Sequence, residues 1–269
     1  MCIAAFAWNP DSETPLLLAA NRDEFFTRPT DAMHWWPDSL VLAGRDLKAD
    51  GAWLGITRQG RFALLTNVRN PSLRREGAPS RGDIVRNFLE SSVAPSTFIA
   101  VLTSIAPRHE GFNFLCGNVN GDSREMWFVN SAERGAKRLQ RGQYGLSNAS
   151  LDTDWPKLVR VKQGLRHALV EQDLTAQDVR LIRLLRNATP TAERQLPSTG
   201  VPLEWERALG SIFINCDGYG TRASTVLRVN RGTANVTEIN YLPDASISKR
   251  NDFSFKILPT THLRNRLSF

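Results

Sequence analysis

The first quarter of the chain carries short apolar runs of the length typical of β-strands. Cys2–Asn9 and Pro15–Asn21 are two such runs, and the residues between them, PDSET, are turn formers. This pattern predicts a β-hairpin at the start of the chain. Further strands are expected at Val41–Gly44, Trp53–Arg58 and Arg61–Asn67, with Gln59-Gly60 as a tight turn between the last two.

Helical spacing replaces this pattern after Ser80. The pairs Ile84-Val85 and Phe88-Leu89 recur at the i, i+4 spacing of an amphipathic helix, and a second helix is expected over Ser96–Ile105, after Pro95. Strand character returns over Phe112–Gly117, Glu125–Asn130 and Tyr144–Asn148, with a turn at Asn120-Gly121-Asp122.

The best-defined helix follows Trp155. Asp154 is predicted as its N-cap, and Pro156 lies in its first turn. The helix carries one apolar stripe, formed by Leu158, Val161, Leu165 and Leu169. The remaining predicted elements are helices over Asp178–Asn187 and Leu203–Leu209, and strands over Ser211–Asn215, Ala223–Val229, Val236–Leu242 and Phe253–Leu258.

Strands and helices therefore come in blocks along the chain. Such an order favours segregated sheet and helix layers, an α+β fold, over strict βαβ alternation. Gln195–Pro202 is the most linker-like segment, yet the strands after it are needed to complete the sheets. We therefore predict a single domain over residues 1–269.

The composition adds an excess of positive charge, +7, carried by 28 arginines and 6 lysines. The planar guanidinium group binds carboxylates and phosphates, so an anionic partner is a natural expectation. The basic residues are nevertheless scattered, without a basic run or a zinc-ligand spacing, and we expect no nucleic-acid partner and most arginines on the surface.

The three cysteines are too few for a disulfide framework and favour a reducing compartment. The first twenty residues lack the basic start of a signal peptide, and no apolar stretch approaches the roughly 18 residues of a membrane span. The chain is predicted to be cytoplasmic, without an integral membrane segment. Its oligomeric state stays open.

Cys2 is the first candidate for chemistry. If the initiator Met1 is removed, the thiol and a free α-amine belong to one residue, and the amine can accept the thiol proton without a separate histidine. Asn21, Arg22, Asp23 and Glu24 lie at the end of the second strand of the predicted hairpin, near the start of the first. An arginine there lowers the thiol pKa, and an acid holds the amine. A small buried residue and an ion-paired loop are the structural alternatives.

A series of motifs in this order resembles the NRDE family, the family of the eukaryotic transport-and-Golgi-organisation protein 2. The resemblance spans almost the whole chain. It rests on Cys2, Asn21-Arg22-Asp23-Glu24 with Phe25-Phe26 and Arg28-Pro29, Ala43-Gly44-Arg45-Asp46, Gly51-Ala52-Trp53-Leu54-Gly55, Thr66-Asn67-Val68-Arg69, Ser80-Arg81-Gly82, Tyr144-Gly145-Leu146-Ser147-Asn148 and Tyr219-Gly220-Thr221-Arg222.

That family is distantly similar to N-terminal-nucleophile (Ntn) hydrolases of the choloylglycine hydrolase and penicillin acylase group, which implies a four-layer αββα sandwich. The resemblance implies catalytic roles for Cys2, Arg22 and Asp23, with Glu24 as an alternative acid. Asn148, which precedes Trp155, matches the oxyanion asparagine, and Asn67 is a second amide donor. The ligand-binding candidates are Asn21, Arg22, Glu24, Arg28, Arg69 and Arg222.

The NRDE resemblance also implies haem trafficking and acyl-CoA or lipid metabolism. Three functions stay open: a cytoplasmic carrier of a small hydrophobic anion, haem or acyl-CoA; an Ntn amidase, thioesterase or acyltransferase that uses Cys2; and a non-catalytic scaffold. No metal site is expected, and no cofactor is required, although haem is a candidate ligand. His34, beside Trp35-Trp36, is the most suggestive histidine, but we interpret it as part of an aromatic loop over the core.

Overall fold

A computed structural model of the chain describes residues 2–121 and 124–259. The strands are β1 Cys2–Trp8, β2 Leu16–Phe25, β3 Thr30–Trp35, β4 Val41–Asp46, β5 Leu54–Thr57, β6 Arg61–Asn67, β7 Phe112–Asn118, β8 Glu125–Asn130, β9 Lys137–Arg138, β10 Gly142–Leu146, β11 Asn215–Cys216, β12 Tyr219–Asn230, β13 Thr233–Tyr241 and β14 Ile247–Lys256. The α-helices are α1 Arg81–Glu90, α2 Pro95–Ile105, α3 Pro156–Leu169, α4 Leu174–Leu185 and α5 Leu203–Ala208.

The strands form two antiparallel sheets. The first has the order β10-β1-β2-β12-β13-β14, with β11 paired to β12, and the second runs in sequence order from β3 to β9. The predicted hairpin of β1 and β2 therefore lies inside the first sheet, between β10 and β12. Interior strands are apolar on both faces, as the sequences CIAAFAW and LLLAA require.

Alternate residues of these strands enter two different cores. Phe6 and Leu18 of the first sheet meet Leu54 and Leu64 of the second between the two sheets. Their neighbours on the opposite face, including Leu17, pack against the helices α3 and α4. The period-two alternation of side chains thus divides each central strand between an inter-sheet core and a helix-facing core.

The second sheet is covered in the same way by α1 and α2. Val85 and Phe88 of α1 and Phe98 of α2 pack on Phe114 of β7, with the Phe88 and Phe98 ring centroids 5.1 Å apart. On the other side, Leu158, Val161 and Leu165 of α3 cover the first sheet, as the apolar stripe predicts. The order of layers is helix, sheet, sheet, helix, which confirms the four-layer αββα sandwich.

Several local predictions were wrong. His34 lies in β3 rather than in a loop, and its ring bonds the Ala32 carbonyl at 2.8 Å. Asp154 does not cap α3, because the N-cap position is Trp155 and no side chain bonds the first turn. Most of the strand expected over Ser211–Asn215 is irregular. The turn at Asn120-Gly121-Asp122 ends at a residue outside the described ranges.

Among the described residues, no helix is both long and apolar enough to cross a bilayer.

Phe88 tests the contribution of the outer helix layer. Its side chain is fully buried against Phe98 and Phe114, so Phe88→Ala leaves a cavity and is expected to lower the free energy of unfolding by about 3–5 kcal/mol. Urea denaturation measures the change. Val170→Ala, at a position 80% exposed, is the control and should change stability by less than about 0.5 kcal/mol. Equal effects of the two substitutions would contradict this packing.

Candidate functional site

Cys2 and Arg22 lie directly opposite each other in the antiparallel pair of β1 and β2. Both occupy even-numbered positions, on the strand face that Phe6 and Leu18 also use, and both side chains are buried. Burial raises the pKa of the Cys2 thiol. The charge of Asp23 raises it further, and the charge of Arg22 lowers it. The strand register thus supplies the thiol with a buried guanidinium partner.

Arg22 is held by an acid and an indole ring. Its Nη2 atom lies 3.3 Å from Oδ2 of Asp46, and its guanidinium carbon lies 4.6 Å from the centroid of the Trp53 ring. Gly44 makes room for this ring, because a Cβ atom there would overlap the indole. Arg28 shares Asp46, with its Nε atom 2.5 Å from Oδ2. Although burial opposes it, the hydrogen bond from Arg28 keeps the pKa of Asp46 below its usual value.

Asp23 lies on the opposite face of β2 from Arg22. Oγ1 of Thr221 donates to its Oδ1 atom at 2.7 Å, and the side chain is 1% exposed. Burial raises the pKa of Asp23, while the positive charge of Lys157 and the Thr221 hydrogen bond oppose the rise. The consecutive residues 22 and 23 therefore supply a cation on one face of the sheet and an acid on the other.

The two predicted amide donors lie beside each other. Nδ2 of Asn148 donates to the Asn67 carbonyl at 3.0 Å, and the backbone N–H of Arg69 donates to the Asn148 carbonyl at 2.6 Å. Ser147, next to Asn148, donates its hydroxyl to the Cys2 carbonyl at 3.2 Å. These bonds join the ends of β6 and β10 to the start of β1. Of the two asparagines, Asn67 lines a cavity.

Two adjoining cavities open at this point. The first, of about 380 Å³, is polar and is lined by Cys2, Arg22, Asp23 and Asn67, among others. The second has a volume of about 480 Å³. They share five lining residues, which are Glu24, Arg28, Asn67, Arg81 and Glu110. We refer to them as the thiol cavity and the aromatic cavity.

The aromatic cavity has an apolar wall. Phe25, Trp205 and Tyr219 meet edge to face, with ring centroids 5.0–6.3 Å apart, and Leu73 and Leu209 extend the surface. Phe25 is 51% exposed at the end of β2, although most of this strand is buried. An aromatic surface beside a polar cavity suits a ligand with one apolar and one charged end.

The structure brings most of the predicted ligand-binding residues to these cavities. Glu24 and Arg28 line both cavities, Arg22 lines the thiol cavity, and Arg69 lines the aromatic cavity. Asn21 and Arg222 line neither. The Asn21 amide donates to the carbonyls of Leu185 and Ile212, and Arg222 donates to backbone carbonyls of the segment 25–28.

Sequence reasoning missed Lys157 and Glu206. Lys157 lies in the first turn of α3 and is 2% exposed; burial lowers its pKa to about 8, although the negative charge of Asp23 opposes this shift. Glu206 is 3% exposed and forms a buried ion pair with Arg69, whose Nη1 atom lies 3.1 Å from Oε2. The only signal for Lys157 in the sequence was its position directly after Trp155-Pro156, where the helix meets the sheet.

Within the described ranges, no group of three or more His, Cys, Asp and Glu side chains is arranged to hold a metal ion. His34 lies on β3 and lines neither cavity.

Comparison with known proteins decides the family. The family described as Transport and Golgi organisation 2 matches residues 1–242. The chain belongs to this family. The Transport and Golgi organization protein 2 homolog of Bos taurus is 34% identical over 86% of this chain and 89% of its own length. The homolog of Mus musculus is 30% identical over 96% of this chain and 99% of its own.

The similar solved structures have far lower identity. A Caenorhabditis elegans ortholog of N-acylethanolamine-hydrolyzing acid amidase is 11% identical, with a TM-score of 0.47, and the match covers 91% of this chain and 95% of that one. A mutant conjugated bile acid hydrolase from Clostridium perfringens is 10% identical, also with a TM-score of 0.47, over 98% of this chain and 100% of that one.

The lowered pKa of Lys157 predicts a pH dependence of stability in this member of the family. The folded protein loses the Lys157 proton near pH 8 and the unfolded chain near 10.5, so the free energy of unfolding should rise with pH across this window by up to about 3 kcal/mol. Urea denaturation from pH 7 to 11 should therefore show the wild type gaining stability relative to Lys157→Met.

Lys137→Met, at an exposed position on β9, corrects for the general effect of losing a lysine. If the difference in free energy of unfolding between wild type and Lys157→Met stays constant with pH, the pKa of Lys157 is not lowered by burial and the prediction is wrong.

Proposed function

We propose that this protein binds and carries an amphipathic anion of the haem or acyl-CoA type in the cytoplasm. The observation that carries the proposal is the continuity of the two cavities, one charged and one aromatic, through a shared wall that contains Arg28 and Arg81. Such a cleft offers burial to an apolar group and guanidinium groups to its anionic end.

The arginines at the cleft differ in whether a ligand can reach an unpaired guanidinium group. Arg28 forms an ion pair with Asp46, and Arg81 forms one with Glu110. In contrast, Arg74 and Arg75 are exposed at the aromatic and the thiol cavity respectively, and neither side chain has an ion pair with another described residue. They are therefore the residues that we expect to contact phosphate or carboxylate groups.

The lining residues favour acyl-CoA over haem. Of the residue types that ligate haem iron, the two cavities offer Cys2 and Tyr219. Burial raises the pKa of the Tyr219 hydroxyl well above its usual value, which disfavours the phenolate that would ligate iron. An acyl-CoA needs no such ligand: its chain would lie on the aromatic wall, its phosphates near the exposed arginines, and its thioester near Cys2.

The surroundings of Cys2 support a second candidate function, that of a cysteine amidase, thioesterase or acyltransferase. Arg22 lies opposite the thiol, and the acid Asp23 lies beside the start of β1. In this reaction the Cys2 thiolate attacks the carbonyl carbon, and the departing amine or thiol takes up the proton that the thiol released. The acyl group then passes to water or to another acceptor.

The carrier function is tested by titration with a fluorescent acyl-CoA and with haemin. The charge reversal Arg74→Glu with Arg75→Glu should weaken binding by about tenfold or more, since it replaces attraction of an anion by repulsion. Cys2→Ala should retain binding within about twofold, because the thiol is not the main source of affinity in this proposal.

Arg134→Glu with Arg141→Glu is the matched control, since both are exposed and line neither cavity. Equal loss of binding in the two double variants would indicate a general charge effect. If neither compound binds at micromolar concentration, the carrier proposal is wrong.

The enzymatic function depends on the processing of Met1. Intact mass should show its removal, and a thioester or p-nitrophenyl ester should add one acyl group to the wild type and none to Cys2→Ala. Cys216→Ala, which removes a partly exposed thiol outside the cavities, should be labelled like the wild type. Protein that retains Met1 and still transfers acyl groups would exclude the α-amine of Cys2 as the base.

A further inference from the structure

Lys157 occupies an unfavourable position for a lysine. Its side chain is 2% exposed, and Nζ forms no hydrogen bond with any residue in the described part of the chain. A buried ammonium group without hydrogen-bond acceptors is strongly disfavoured. An apolar side chain of similar length would fill the same space without this cost, so packing alone does not account for a lysine here.

Two neighbouring features add to the cost. Lys157 lies in the first turn of α3, where the helix dipole repels a cation. The guanidinium of Arg69 also faces it, stacked 4.5 Å from the centroid of the Trp155 ring. The charged state of Lys157 therefore depends on an anion near by.

Asp23 is that anion. Four charged or titratable groups act on Lys157: Asp23 of β2, Cys2 of β1, Glu206 of α5, and Arg69, which follows β6. Among them, Asp23 exerts the largest attraction. Glu206 is already engaged, by Arg69 at 3.1 Å and by the hydroxyl and backbone N–H of Thr199 at 2.6 and 2.8 Å. Asp23 in turn accepts from Thr221 and is influenced by Arg22.

We propose that Lys157 is a positioning residue of the Cys2 site, whose buried ammonium keeps the Asp23 carboxylate ionised beside the amino end of β1. The proposal rests on the second candidate function above, the nucleophilic Cys2. In the processed protein, Asp23 would hold the α-amino group of Cys2. The positive charge of Lys157 would disfavour a second cation there, which increases the neutral fraction of that amine.

The consequence concerns one proton. The neutral amine accepts the proton of the Cys2 thiol, the thiolate attacks the acyl carbonyl, and the same proton passes to the leaving group. Without Lys157 the amine holds its proton to higher pH, which moves the reaction toward alkaline pH. Asp23 is also protonated more readily, and in that state it no longer holds the amine in place.

Two measurements test this role. NMR of protein labelled with [¹³Cγ]Asp follows the Asp23 carboxyl, assigned through Asp23→Asn, and intact mass follows the acylation of Cys2 by p-nitrophenyl acetate as a function of pH. In Lys157→Met we expect the Asp23 titration to rise by about one pH unit or more, and acylation at pH 7 to slow by about tenfold. Lys157→Arg keeps the charge and should restore both.

Further variants separate positioning from a loss of structure. Lys162→Met, on the same helix, should change neither measurement, and Lys157→Met should slow acylation less in a protein that already carries Asp23→Asn than in the wild type. If Lys157→Met does not fold, the reciprocal test uses [¹³Cε]Lys: Asp23→Asn should lower the pH at which Lys157 titrates. An Asp23 titration that is unchanged in folded Lys157→Met, or a Lys157 titration unchanged in Asp23→Asn, overturns the proposal. If wild-type Cys2 is not acylated, the enzymatic function fails, and the NMR titrations still decide whether Lys157 holds Asp23 ionised.

Discussion

The antiparallel pairing of β1 with β2 sets the position of everything else at the site. β1 lies between β10 and β2, so a strand that begins at Cys2 is hydrogen-bonded on both edges and covered on both faces. The same pairing places Cys2 opposite Arg22 and directs Asp23 to the helix layer. Backbone hydrogen bonds and apolar packing, rather than contacts among the polar side chains, therefore bring the thiol, the guanidinium and the acid together.

The buried charges form sets in which each member depends on another. Arg22 and Arg28 share Asp46, Arg69 pairs with Glu206, and Lys157 faces Asp23. In a low-dielectric interior these attractions are strong, but removal of one partner leaves a charge that neither water nor protein satisfies. The cleft can stay polar inside an apolar sandwich because its charges are compensated locally.

The pattern of apolar residues predicted separate sheet and helix layers, because the side that an element buries determines the spacing of its apolar residues. The hairpin, the apolar stripe of α3 and the blocks of strands were predicted from that rule alone. β3 was not predicted because its residues, TDAMHW, do not alternate between apolar and polar side chains. A strand at the edge of a sheet also buries few side chains. Asp154 has the residue type of an N-cap, but the chain enters α3 one residue later, and such boundaries depend on local tertiary contacts.

The candidate site was predictable to the extent that residues cluster in the sequence. Arg22, Asp23 and Glu24 are adjacent to one another and close to Cys2 through a hairpin. Lys157 and Glu206 are distant in sequence and meet the site only after α3 and α5 pack on the first sheet. Several arginines expected on the surface are instead buried, for example Arg61, which donates to the carbonyls of Phe88 and Val93.

Asn21 lines neither the thiol cavity nor the aromatic cavity, and its hydrogen bonds show what else this polar segment does. The LLLAA part of β2 is apolar on both faces, so it would accept a shift of one residue along β1 without exposing an apolar side chain. Such a shift is opposed by Asn21, whose amide bonds Leu185 and Ile212 and whose oxygen accepts from Ser224. Part of this polar segment therefore serves as a folding signal. A variant that had lost every ligand and every reaction would still need Asn21 to align β2, so the presence of this residue reports strand alignment rather than an activity.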